Sequence, residues 1–360
     1  AVLYFYDDGN KANILINTEY TIDGKPKYMP YSPTLSLSKN IEFSVDTLVA
    51  DFPDMYLPGV GDPESPFNYY DDNHELIYGL FDDLMDQAPE YITKTELGKT
   101  DIGTPVYEYF FDPQRAPERE AKGFYKPYPK ILIGASVHGG ENLGVVTLYY
   151  LMERIVNGWK DDEALEYLRH NVRFAICPLR SPDDFDRKSY VNHNGVNINR
   201  NFSWGWEERN VPDKGPYPFS EVEARIQRDW LHSHDDAIHH IDVHVRGARQ
   251  TVADDAMIDI RYEGEHDVQP AENLVMKLSR RWQKRYPQLP NHPLGYIRGG
   301  SLGGTIVGYS RHVVGLPSYT WEGFSRSETM NEVENSDIVS MNVEFLGQTV
   351  VNLIKYYQKF

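Results

Sequence analysis

Residues 131–141 read Ile131-Leu132-Ile133-Gly134-Ala135-Ser136-Val137-His138-Gly139-Gly140-Glu141, an apolar run that ends in a small-residue turn carrying a histidine and a glutamate. Residues 131–133 show no polar alternation, as expected of a strand buried on both faces. Residues 145–155, just beyond, read as a helix. A strand feeding a helix through a tight turn is the repeating unit of an α/β sheet, and such sheets place their sites beyond the C-terminal ends of their strands. His138 and Glu141 lie there, and Gly139 and Gly140 let the backbone bend between them. An imidazole and a carboxylate converging from one turn suit zinc, which in catalytic sites takes three protein ligands and keeps one position open. His-x-x-Glu alone is a weak signal, so a third ligand must come from elsewhere.

The stretch Ile241-Asp242-Val243-His244-Val245 supplies a candidate. Read as a strand, it puts Asp242 and His244 on one face and the three aliphatic residues on the other. His232, His234, His239 and His240 crowd the same region. His244 differs from them by ending the apolar strand, and His240, on its face, is the runner-up.

Strands and helices alternate on either side of these segments. Leu76, Ile77, Leu80, Phe81, Leu84 and Met85 fall at helical spacing, with Pro89 just past the helix end. Residues 106–111 read as a strand, and Ser220 with Glu223 reads as a capping box for a helix through Trp230. Ile338, Met341, Phe345, Val350, Leu353 and Ile354 mark a last helix. The fold expected is α/β, a mixed, largely parallel central sheet with helices on both faces.

Residues 1–66 have a different texture. Short alternating strands run through residues 13–45, with Asp23-Gly24 as a hairpin turn. Pro53, Pro58, Gly59, Gly61, Pro63 and Pro66 then read as a linker. A small β-rich N-terminal domain over 1–66 and a second domain over 67–360 are expected. The opening residues meet Asp7 and Asp8 at once and lack a basic stretch, so they do not read as a signal peptide.

The 360-residue chain carries a formal net charge of −18, which argues against nucleic acid as a partner. No stretch approaches the ~20 apolar residues of a membrane helix. The lone cysteine, Cys177, sits in an apolar run and reads as a buried small hydrophobe, which excludes an intrachain disulfide framework and a Cys-rich zinc site. Location stays open, with an extracellular or particle-associated setting favoured over the cytoplasm.

Between the two metal-ligand candidates lies Asn194-Gly195-Val196-Asn197-Ile198-Asn199-Arg200-Asn201-Phe202. With it the chain resembles the M14 zinc carboxypeptidases over residues 67–360. That family has a His-x-x-Glu after a strand, a Gly-Val-Asp-x-Asn-Arg-Asn segment, a strand-end His and then a catalytic Glu. All four occur here in that order, the last as Glu322 in Ser318-Tyr319-Thr320-Trp321-Glu322.

The resemblance implies one zinc ion on His138, Glu141 and His244, with Glu322 as general base for water attacking the last peptide bond of a peptide with a free C-terminal carboxylate. It implies that Asn199 and Arg200 bind that carboxylate. It further implies an Arg that polarises the scissile carbonyl, assigned to Arg187 with Arg180 as the alternative. A mobile Tyr is assigned to Tyr296, with Tyr309 possible. One departure stands out: the family's Asp that orients the first zinc His is Asn197 here, which accepts the same bond without charge.

Ile306 and Val307 fall where the family floors its side-chain pocket and lean toward apolar or aromatic C-terminal residues. Arg246, on the face of His244, leans instead toward an acidic group, as in a bacterial cell-wall γ-D-glutamyl-diaminopimelate peptide. A peptidase for that substrate is the alternative within the family. A particle- or glycan-binding protein, with residues 1–66 attached to an unknown partner and the peptidase as accessory, is the alternative of another class.

Overall fold

The computed structural model describes residues 57–69, 71–113, 128–245, 256–260, 265–287, 294–298, 302–324 and 333–357, together with four short strands among residues 2–26. The chain divides into two compact units, Ala1–Val49 and Ala50–Phe360. In the first, β1 (Val2–Asp7) pairs antiparallel with β2 (Ala12–Asn17), and β3 (Thr21–Ile22) with β4 (Lys25–Pro26) across the Asp23-Gly24 dipeptide. The strands expected around Leu35, Leu37, Ile41, Phe43 and Val45 lie outside the described residues.

The second unit opens on residues 57–60, which lie against its last helix, α8 (Asn335–Tyr357). Leu57 is buried, Asn335 donates to the Val60 carbonyl at 3.3 Å, and a Cβ on Gly59 would meet the Asn335 Cβ at 2.5 Å. Helix α1 (His74–Gln87) follows, capped by Asn73, whose Oδ1 accepts the Leu76 N–H at 2.9 Å. Its apolar stripe of Ile77, Phe81 and Leu84 is buried, as the helical spacing requires.

The remaining elements in chain order begin with β5 (Ile92–Lys99), β6 (Pro105–Phe111), β7 (Lys130–Gly134), α2 (Asn142–Asn157), α3 (Glu163–Asn171), β8 (Arg173–Cys177) and α4 (Pro182–Arg187). After them come α5 (Val222–Ser233), β9 (His239–Val245), β10 (Ala256–Ile260), α6 (Glu265–Arg285), β11 (Leu294–Arg298), the short α7 (Ile306–Tyr309), β12 (Ser318–Gly323) and α8. The strands form one eight-stranded sheet in the order β11-β10-β12-β9-β7-β8-β6-β5. Its centre, β12-β9-β7-β8, is wholly parallel, while β10 joins β12, and β6 joins β8, antiparallel. This is the mixed, largely parallel sheet expected.

Strand β7 reads as the continuous apolar run of a parallel strand covered on both faces, while β9 alternates polar and aliphatic residues, and every residue of both is buried. One face of the sheet packs Leu132, Ala175 and Cys177 against Trp230 of α5 and Ile306 and Val307 of α7. Helices α2 and α8 lie together and pack on β9 and β12. Among the described residues, no helix is long and apolar enough to cross a membrane.

The capping box expected at α5 does not form. Glu221 occupies the cap position, and the Ser220 hydroxyl instead donates to Glu221 Oε1 at 2.6 Å while accepting from Asn201. A nearer carboxylate outcompetes the helix N–H groups for the serine.

Candidate metal centre

The loop after β7 is held in one shape by close backbone contacts. Ser136 adopts a left-handed backbone with φ 54°. The Gly139 N–H donates to the Ser189 carbonyl at 2.7 Å, and a Cβ at Gly139 would sit 1.8 Å from the Asp184 carbonyl oxygen. No side chain fits there, so glycine is required between the two candidate ligands for lack of space.

That loop brings His138 and Glu141 to His244 at the end of the neighbouring strand β9. His138 Nδ1 lies 3.0 Å from Glu141 Oε1, and His244 Nδ1 lies 2.8 Å from Glu141 Oε2. The ligating atoms of the three residues all fall within 4.8 Å of one another, and all three residues are buried. The far side of each imidazole is also held. Asn197 Oδ1 accepts from His138 Nε2 at 3.1 Å, and Asp242 Oδ2 accepts from His244 Nε2 at 2.9 Å.

This hydrogen-bond pattern tests whether zinc fits. With each Nε2 donating outward, each Nδ1 faces a carboxylate oxygen, a contact that requires positive charge between the two atoms, either a proton or a metal cation. Two imidazole nitrogens and a carboxylate, oriented by outer hydrogen bonds and buried, are a donor set that zinc takes. The residues present fit the metal.

The electrostatics match. Burial works to raise the Glu141 carboxyl, but His244 and His138 outweigh it and hold Glu141 down to about 2. Burial disfavours a charged His244, yet Asp242 and Glu141 push its proton affinity well above the ordinary histidine value. Asp242, opposed by burial, is held far below the usual carboxylate range by Arg180 and His244. Glu141 and Asp242 are therefore held as carboxylates, and they favour positive charge at His244.

The rival histidines have other partners. His240 lies at the start of β9 with Nδ1 2.8 Å from Ser318 Oγ, and burial pushes it down to about 3. His232 meets the Tyr309 hydroxyl at 2.9 Å, and His234 meets Glu108 at 2.5 Å.

Parallel pairing sets Glu322 of β12 directly beside His244, with Thr320 beside Asp242. Strand alternation puts Glu322 and His244 on one face, and Glu322 is half-buried. Asn199 and Arg200 lie in a short 3₁₀ turn, Ile198–Arg200. The Asn199 amide is 3.2 Å from His244 Nε2, and its Oδ1 accepts from the Ile306 N–H at 3.0 Å, which ties this turn to α7. Arg200 is half-buried and donates to the Asn199 carbonyl at 2.6 Å.

Arg187 ends α4 with a side chain 42% exposed, donating to Asp184 Oδ1 at 2.5 Å and to the Val191 carbonyl at 3.3 Å. Arg180, its alternative, is fully buried and clamped on Asp242. Tyr309 is buried against His232, whereas Tyr296 lies in the edge strand β11 with Ile258 as its backbone partner. Ile306 and Val307 are buried in the apolar cluster beneath α7. Arg246 lies outside the described residues.

Two neighbours of the centre went unassigned in the sequence. Asp242 had a visible signal, two residues before His244 on its face. Tyr190 had none: its ring, 46% exposed, lies 5.0 Å from the His138 ring through a loop contact that only the fold creates.

An α/β sheet carries the His-Glu-His donor set at the ends of its central strands, a candidate metal site. The sequence model of the zinc carboxypeptidase family matches residues 77–325, most of the chain, and the chain belongs to that family. Among similar proteins, mouse carboxypeptidase A4 (Mus musculus) is 24% identical over 191 residues, covering 47% of this chain and 43% of the relative. Carboxypeptidase B of Astacus astacus is 28% identical over 125 residues, covering 29% of this chain and 40% of the relative. The chain thus spans less than half the length of these relatives. In fold it is similar to carboxypeptidase A from Helicoverpa armigera, with a TM-score of 0.61 at 18% identity over 80% of this chain and 74% of that one. It is also similar to thrombin activatable fibrinolysis inhibitor, with a TM-score of 0.62 at 16% identity over 79% of this chain and 74% of that one.

Proposed function

We propose that this chain is a zinc metallocarboxypeptidase that hydrolyses the C-terminal peptide bond of peptides with a free terminal carboxylate. The observation that carries the reading is the convergence of His138 Nδ1 and His244 Nδ1 on the two oxygens of Glu141, with Glu322 beside His244 in the strand register. Bound there, zinc supplies a Lewis acid that polarises the scissile carbonyl and lowers the pKa of water toward ~7.

The chain's own residues do the rest. Glu322 accepts a proton from the attacking water and delivers it to the departing amine, a role worth ~10²–10⁴-fold. Arg187 donates to the carbonyl oxygen as it gains charge. Arg200 offers a guanidinium fork to the terminal carboxylate, and Asn199 adds an amide donor beside it. Tyr296 and Arg246 complete the substrate-binding set in this reading. The apolar surroundings of Ile306 and Val307 favour an apolar or aromatic terminal residue.

Replacing Glu322 by Gln tests the assignment. The expected outcome is retained zinc with turnover lowered ~10²–10⁴-fold, measured on free and C-terminally blocked peptides with muropeptides beside them. Full activity in the variant would contradict the role. Residues 1–49, the first compact unit, are assigned as an accessory segment, a reading supported by a family match that begins at residue 77.

A further inference from the structure

Arg180 stands out as a fully buried guanidinium that pairs with Asp242 and not with His138, Glu141 or His244. A charge in that position is costly unless it is paired, and replacing a buried pair by apolar groups is often neutral or stabilising. Stability is therefore a poor reason for its presence. The fold nevertheless makes room for it: a Cβ on Gly134 would lie 2.9 Å from Arg180 Cδ, and the Arg180 N–H is tied to the Ala135 carbonyl at 3.1 Å. Arg180 Nη2 donates to Asp242 Oδ1, while Nη1 is buried with no hydrogen-bond partner among the described residues. The other oxygen of Asp242 accepts from His244 Nε2 at 2.9 Å and from Asn199 at 3.4 Å. Each carboxylate oxygen thus has its own cationic or N–H partner, which fixes the carboxylate plane and, through it, the imidazole.

The other histidine is held differently. His138 rests on Asn197, a neutral amide at 3.1 Å. The two imidazoles consequently differ in support, one backed by a neutral acceptor and one by an anion that is itself clamped.

We propose that Arg180 and Asp242 form a buried charged strut that orients His244 for zinc, with Arg180 acting as a positioning residue through Asp242. The inference rests on the zinc reading of His138, Glu141 and His244. Outer partners of metal-bound histidines typically contribute ~10–100-fold in affinity, and the strut concentrates that contribution on His244.

The test is the double variant Arg180→Met with Asp242→Asn, which removes both buried charges together. Zinc affinity is read by chelator competition, the ligand geometry by the visible absorption of the cobalt-substituted protein, and folding by melting of the metal-free form. The expected result is a zinc affinity lower by ~10–100-fold and a shifted cobalt band, with the metal-free melting temperature unchanged or raised. Wild-type affinity and an unshifted band in a folded double variant would overturn the strut alone. A wild-type protein that binds no zinc would overturn the zinc reading and the strut with it. If the double variant does not fold, Arg180→Lys keeps the charge and removes the fork. A weaker zinc affinity in that variant supports the strut, and an unchanged affinity and cobalt spectrum overturn it.

Discussion

Gly139 and Ser136 show how tightly single residues constrain the candidate centre. A methyl group at Gly139 would overlap the Asp184 carbonyl, so Gly139→Ala is expected to displace the His138–Glu141 loop and abolish high-affinity zinc binding, read by chelator competition. Ser136 holds a left-handed backbone that costs an L-residue ~1–2 kcal/mol. Ser136→Gly is expected to raise the melting temperature while leaving zinc affinity unchanged. Glu223 is a different case, buried with Oε2 lacking a hydrogen-bond partner among the described residues. Burial raises its carboxyl to about 7, against the pull of its own backbone N–H and with help from Asp184, Asp101 and Glu221. Unfolded, it would release its proton near 4.5. Between those values the folded chain holds the extra proton, so this residue's contribution to stability falls as pH rises from about 4.5 through about 7 and stays low above it. Glu223→Gln should therefore match wild type near pH 4.5 and exceed it by up to about 3 kcal/mol at pH 8, measured by denaturant melts at both values. An equal stability gain at both pH values would contradict this. At this scale the sequence was informative about residue type: Asn197 was visible as a neutral acceptor in place of an acid, and it is the acceptor that meets His138. The overlap at Gly139 and the missing partner of Glu223 depend on contacts between distant segments, which no local pattern carries.

The elements differ in how far local pattern decides them. Strand β7 was legible as a continuous apolar run, and β9 by alternation that puts Asp242 and His244 on one face and Ile241, Val243 and Val245 on the other. Helices α1 and α8 were legible from their apolar stripes. The cap of α5 was not, because Ser220 had a carboxylate neighbour in Glu221 and an amide from Asn201 that the motif ignores. Residues 57–60 were misleading for a related reason: proline and glycine suggested a linker, yet Gly59 provides the close approach to α8. Helix α4 carries its own prediction. It packs on the ligand loop at Gly139 and ends in Arg187, held by Asp184, whose carboxyl burial raises to about 6 against the pull of Arg187. Arg187→Ala is expected to lower kcat by ~10²–10³-fold with zinc content unchanged. A rise in KM alone would assign Arg187 to substrate binding instead of the carbonyl.

For the whole molecule, the order of motifs along the chain was the strongest sign. His138 and Glu141 after β7, the Asn199–Arg200 turn, His244 at the end of β9 and Glu322 on β12 come from four separate segments, and the sheet order β12-β9-β7 makes neighbours of the three strands. The division at Val49 and the family match from residue 77 lead to the expectation that deleting residues 1–49 leaves hydrolysis intact. Loss of turnover in that truncated chain, with its fold preserved, would assign the first unit a part in the reaction. Metal removal should also be felt globally. A ligand present at a thousand times its dissociation constant adds ~4 kcal/mol, so chelation should lower the melting temperature and added zinc should restore it. Three buried side chains, His138 and Glu141 on the loop after β7 and His244 at the end of β9, are assigned to hold one zinc ion. Metal analysis of the purified chain beside His244→Ala tests that assignment most directly. The expected result is one zinc per chain in the wild type and none held in the variant. A wild type that retains no zinc, or a variant that retains it fully, would overturn the assignment of His138, Glu141 and His244 as zinc ligands.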